Sequence, residues 1–140
     1  MIRHADAEWL GSLKAGTGHL KVETGVLDAP YSFHSRFEDG KQTNPEELIA
    51  AAHAGCFTMA LTASLGPAGF TPTRIHTQAA VTMVPVDGKP TITRIDLTTE
   101  ASIPGIDDAA FQQIAAGAKV GCPVSRALAA VEIHLSAKLV

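Results

Sequence analysis

Cysteine is scarce in this chain: only Cys56 and Cys122 occur among the 140 residues. They form no C-x-x-C pair, which excludes zinc-finger and thioredoxin-type motifs. The histidines show no metal-ligand spacing of the H-x-x-x-H kind. Gly16-Thr17-Gly18 lacks the rest of a phosphate-binding fingerprint, and no Gly-rich loop follows a strand. Basic residues number 11 against 14 acidic ones, for a net charge of −3, and they do not cluster. That argues against nucleic acid or an anionic membrane as partner. No stretch is expected to reach transmembrane length, and Met1-Ile2-Arg3-His4-Ala5-Asp6 lacks the apolar core of a signal peptide. The expected compartment is therefore the cytoplasm, where two cysteines are catalytic, redox-active or inert rather than a standing structural disulfide. Internal repeats and low-complexity tracts are absent. The chain is 46% hydrophobic and 18% charged, which predicts one globular domain over 1–140.

The stretch from Thr43 to Leu61 organises the rest. Asn44 suits a helix N-cap and Pro45 the first helical position. Glu47, three residues after the cap, is placed to reach back to the Asn44 N–H as in a capping box. Alanine and leucine propagate the helix until Gly66-Pro67 stops it. Its apolar residues lie on every side, which predicts a buried helix, covered in part by a second subunit because so small a domain cannot enclose it. The first forty residues read as short strands joined by Gly-rich turns, with Tyr31-Ser32-Phe33-His34-Ser35-Arg36-Phe37 alternating aromatic and polar residues. Trp9, the only tryptophan, has a core or interface role. After the long helix come a hairpin through Asp87-Gly88, a helix capped by Asp107 or Asp108, and a short helix with Cys122 near its cap and Pro123 at its start. The last strand alternates Val131, Ile133, Leu135, Ala137 and Leu139 with polar residues. This order predicts an α+β fold, a mostly antiparallel sheet with helices on one face.

Around the long helix, Glu46 lies roughly 80° and His53 roughly 60° from Cys56 at about 100° per residue. Glu46 is about 15 Å from the thiol by helix rise, so it can fix another residue beside the sulfur but cannot touch it. Two readings of the cysteines are open. They are buried inert thiols, or Cys122 is acidified by its helix start while Cys56 needs a cation such as Arg36 or protonated His53. His53 is either a packed hydrogen-bonding residue or a base for Cys56.

Thr43-Asn44-Pro45-Glu46-Glu47-Leu48 leading to Ala52-His53-Ala54-Gly55-Cys56-Phe57, together with Lys119-Val120-Gly121-Cys122-Pro123-Val124-Ser125, closely resembles the OsmC/Ohr family of osmotically inducible and organic hydroperoxide resistance proteins. Gly69-Phe70-Thr71-Pro72 and Pro104-Gly105-Ile106-Asp107 extend the resemblance over nearly the whole chain. It implies an intertwined α+β homodimer with active sites at the subunit interface and a thiol-dependent peroxidase activity, on organic hydroperoxides in the Ohr branch and on a broader range, hydrogen peroxide included, in the OsmC branch. By motif, Cys56 corresponds to the peroxidatic cysteine, Cys122 to the resolving one, and Glu46 to the acid that orients an arginine. The early segment Lys14-Ala15-Gly16-Thr17-Gly18 carries no arginine, so Arg36 is the candidate, as in the OsmC branch; His53 also fits that branch. The implied cycle runs through a Cys56 sulfenic acid and a Cys56–Cys122 disulfide, with an apolar wall that includes Phe57 and Met59. It needs an organic hydroperoxide and a dithiol reductant but no metal, flavin or haem. A cysteine hydrolase using Cys56 and His53, or a non-enzymatic redox-sensing or ligand-binding dimer, are the alternatives.

Overall fold

In the computed structural model, which describes all 140 residues, the chain divides into two units, Met1–Leu48 and Ile49–Val140. The first holds an antiparallel sheet of β1 (Ala5–Leu10), β2 (Thr17–Val22) and β3 (Asp28–Tyr31), in that spatial order. Strand β1 is one of the short strands expected in the first forty residues; Ala5, Ala7 and Trp9 alternate with Asp6 and Glu8, and its ladder with β2 fixes its register. Trp9, Gly18 and Tyr31 stand in one row across the three strands. The Trp9 and Tyr31 rings lie 5.4 Å apart between centroids. A Cβ on Gly18 would come within 2.3 Å of the Tyr31 ring and 2.7 Å of the Trp9 ring, so the middle of the row must be glycine.

The alternating segment after β3 is a helix, not a strand: α1 spans Phe33–Phe37. The cause is local. The Ser32 hydroxyl accepts from the Ser35 N–H at 3.1 Å and the Ser35 hydroxyl accepts from the Ser32 N–H at 2.9 Å, a capping box that outweighs the alternation. The Asn44 side-chain amide donates to the Ser35 carbonyl at 3.0 Å. The long helix follows as α2, Pro45–Leu65, with the Asn44 carboxamide oxygen accepting from the Glu47 N–H at 2.8 Å. Glu47 does not close the expected box, because the Thr43 hydroxyl donates to its carboxylate at 2.9 Å.

Helix α2 buries one stripe only: His53, Phe57, Leu61 and Leu65, each four residues from the last. The remainder of its apolar surface is open in the single chain, and Met59 is 75% exposed. With 21 residues and a mean hydropathy of 1.6 over its best window, α2 also meets the length and composition of a membrane-crossing helix, which corrects the expectation that no stretch does.

The second unit contains β4 (Arg74–Val86), β5 (Lys89–Ser102) and β6 (Glu132–Leu139) in one sheet. Asp87 and Gly88 take φ of 49° and 75°, the two left-handed residues of a tight hairpin turn that joins β4 to β5. Strand β6 runs parallel to β5, a pairing that requires a long crossover. That crossover is α3 (Asp108–Gly121), capped by the Asp107 carboxylate, and α4 (Pro123–Ala127). Alternate residues of β5, Ile95, Leu97, Thr99 and Ala101, are at most 1% exposed. The core joins Leu97 and Ala101 to the α2 stripe and to Phe111, Ala115 and Ala118 of α3. A hydroxyl chain threads it: Thr58 to Thr77 at 2.9 Å and Thr77 to Thr99 at 2.9 Å.

Replacing Leu61 with alanine is expected to lower the unfolding free energy by about 2–5 kcal/mol. Chemical denaturation checks this, and a loss within a few tenths of a kcal/mol would remove the α2 stripe from the core.

Candidate active site

Two of the predicted residues meet across the core of the second unit. Cys56 sits on the flank of the α2 stripe and is partly exposed, while Cys122 is fully buried at the break between α3 and α4. Their sulfurs are 3.0 Å apart and share a hydrogen bond, with both thiols free. Pro123 explains the position of Cys122. It has no N–H with which to continue α3 and it starts α4, so Cys122 is both the C-cap of one helix and the N-cap of the next.

The surroundings of the two sulfurs differ. Burial pushes the Cys56 thiol up, the hydrogen bond with Cys122 adds to this, and the Val124 amide opposes it. Burial also pushes Cys122 up, but hydrogen bonding from Cys56, the Ser125 amide and hydroxyl, and the Val124 amide outweighs it and holds the thiol below its ordinary value. Within this unit Cys122 is the more acidic thiol, as its helix start predicted.

His53 takes the first of the two places expected for it, a packed hydrogen-bonding residue, and not the second, a base for Cys56. Its ring is fully buried, and burial lowers its pKa. Its Nε2 lies 2.8 Å from the Ser125 hydroxyl and its Nδ1 has no partner. A neutral imidazole turned to Ser125 is neither the cation that Cys56 would need nor a base hydrogen-bonded to its sulfur, so the Cys56–His53 pair of a cysteine hydrolase is not formed. Ser125 belongs to the motif around Cys122, and its contact with His53 has no counterpart among the sequence expectations. A hydroxyl three residues after a cap, where side chains at the two positions face each other, was the available signal.

The other predicted pair lies in the first unit. Arg36, on α1, donates from Nη2 to Glu46 Oε1 at 2.9 Å and from Nε to both carboxylate oxygens at 3.3 Å. The Glu46 side chain is 12% exposed and that of Arg36 39%, so the acid is the fixed member and the guanidinium keeps an open face. The Phe37 ring also holds the guanidinium, with Cζ 5.2 Å from its centroid. Arg36 borders a cavity of about 380 Å³ lined also by Trp9, Leu13, Tyr31, Phe33 and Phe37. Aromatic and aliphatic walls with one cation suit an apolar molecule carrying one polar end. The apolar wall expected from Phe57 is not available, because Phe57 is 0% exposed and belongs to the core.

Comparison with known proteins places the chain in a family. The family described as OsmC-like protein matches residues 38–136. The chain is 51% identical over 138 residues to the Escherichia coli protein named peroxiredoxin OsmC, covering 98% of this chain and 96% of that one. Among solved structures, an organic hydroperoxide resistance protein from Elizabethkingia anophelis aligns with a TM-score of 0.75 at 24% identity, over 100% of this chain and 99% of the other. One from Legionella pneumophila aligns with a TM-score of 0.73 at 23% identity, over 96% of each chain. These likenesses show the α+β fold. By the family match and by its identity to the curated relative, the chain belongs to the OsmC-like protein family.

Proposed function

We propose that this chain, acting as one OsmC-like domain over 1–140, reduces organic hydroperoxides by a cycle of Cys56 thiolate, Cys56 sulfenic acid and Cys56–Cys122 disulfide. The class of the enzyme, a cysteine-based peroxidase, follows from 51% identity to a curated peroxiredoxin over nearly the full length of both chains. The observation that carries the cycle is the 3.0 Å separation of two free sulfurs. In the first step the Cys56 thiolate attacks the distal peroxide oxygen. The O–O bond breaks, the alkoxide takes a proton and leaves as an alcohol, and the sulfur keeps the hydroxyl. In the second step Cys122 displaces that hydroxyl as water and the disulfide forms. The sulfurs then need to approach by only about 1 Å to reach the bonded distance of about 2.05 Å. A dithiol reductant returns both thiols by exchange, which suits the reducing cytoplasm.

The acidity order of the two thiols sets what the arginine must do. Left to its own unit, the proton deficit falls on Cys122, whereas the first step needs it on Cys56. Arg36, held by Glu46, is the proposed charge that reverses the order and polarises the peroxide. The aromatic cavity beside Arg36 would receive the alkyl group.

We further propose that the protein works as a homodimer. The open apolar surface of α2, with Met59 75% exposed, supports a second copy as its cover rather than a bilayer, since the same helix buries its other stripe in a protein core.

Cys56→Ser is expected to abolish turnover of tert-butyl hydroperoxide with a dithiol reductant. Cys122→Ser should retain one turnover and accumulate sulfenic acid; steady turnover in the Cys56 variant would end this reading. Arg36→Ala is expected to slow peroxide consumption by about tenfold or more, and stopped-flow rates equal to wild type would remove Arg36 from the site. Met59→Glu should weaken self-association in sedimentation equilibrium, while an unchanged assembly would place the interface elsewhere.

A further inference from the structure

The cycle just proposed makes no use of His53, although it is among the few fully buried polar side chains. It stands three residues before Cys56 on α2, and its one partner, Ser125, stands three residues after Cys122 on α4. The hydrogen bond thus ties together the two elements that carry the reacting sulfurs. Its direction can be assigned. If Nε2 accepted from Ser125, the proton of neutral His53 would sit on Nδ1, which is buried without a partner, and orphaned buried N–H groups are rarer than under-used acceptors. The proton therefore belongs on Nε2, which donates to Ser125 Oγ and leaves the serine hydrogen free to turn elsewhere. Ser125 occupies the third helical position after Cys122 at the N-cap of α4, one turn from it.

We propose that His53 and Ser125 are positioning residues for the resolving cysteine: neutral His53 donates to the Ser125 oxygen, and the serine hydrogen so directed donates to the Cys122 sulfur and aims it at oxidised Cys56. The lowering of the Cys122 thiol by that hydroxyl agrees with this. The inference rests on the peroxidase cycle above. In the step it serves, the Cys122 sulfur attacks the sulfenic sulfur, the S–S bond forms and the S–O bond breaks. The departing hydroxide combines with the Cys122 proton as water. The hydroperoxide consumed in the previous step is the only oxidant needed.

The test separates oxidation from resolution. One equivalent of tert-butyl hydroperoxide is added to the reduced protein; peroxide loss and loss of dimedone-reactive sulfenic acid are then followed separately. Ser125→Ala is expected to slow sulfenic acid loss about tenfold, and by more than it slows peroxide loss. His53→Leu should do the same, whereas His53→Gln, which keeps a side-chain N–H donor, should recover most of the rate. Resolution at the wild-type rate in Ser125→Ala, or equal slowing in the leucine and glutamine variants, would overturn the proposal. A second readout is independent of peroxide chemistry. In a Cys56→Ser background, Ser125→Ala should slow iodoacetamide alkylation of Cys122 about tenfold at neutral pH, and an unchanged rate would overturn the serine–sulfur contact. Normal alkylation effects with no peroxide consumption by the wild-type protein would instead strike the peroxidase reading alone.

Discussion

The contact between the Cys56 and Cys122 sulfurs is the constraint around which the second unit is arranged. A 21-residue helix must be seated so that one flank residue reaches a cap residue from another part of the chain, 66 positions away. Three devices fix that seating. The stripe from His53 to Leu65 sets the rotation of α2 against β5 and α3. The hydroxyls of Thr58, Thr77 and Thr99 tie the helix to the sheet where apolar contact alone would let it slide. Pro123 breaks the crossover so that Cys122 falls at a turn instead of inside a helix.

Electrostatics divides along the same lines. The second unit favours negative charge on the buried Cys122, through the amides and hydroxyl at the start of α4. The first unit holds a guanidinium in a fork with Glu46 and against Phe37, leaving part of it open. His53 is a core histidine whose pKa burial lowers, whereas an arginine keeps its charge at any pH.

Much of this was readable in the sequence because the signals were local. Asn44, Asp107 and Pro123 announce helix starts by what their side chains can accept or cannot donate, and each start lies where expected. Asp87-Gly88 announces a hairpin by its tolerance of positive φ. The Arg36–Glu46 and Cys56–Cys122 pairs came from motif resemblance, since nothing in spacing brings residues that distant together. Three features were misread or missed. The aromatic and polar alternation after β3 matched a strand, but two serines three residues apart supply reciprocal caps and make a helix. Helix α2 has apolar residues all round, so periodicity could not say which stripe one chain buries. The packed, hydrogen-bonded place of His53 was foreseen but its partner was not, since that hydroxyl lies 72 positions away, beyond the reach of any local pattern.

Proteins that oxidise one cysteine and must unfold a segment to bring up the other leave the sulfenic acid exposed to a second oxidant molecule for the duration of that motion. Here the partner sulfur is already in contact with both thiols free, on an element tied to α2 by the buried His53–Ser125 hydrogen bond. Under the proposed cycle, over-oxidation to the sulfinic acid then has to compete with a neighbour that needs no backbone rearrangement to react.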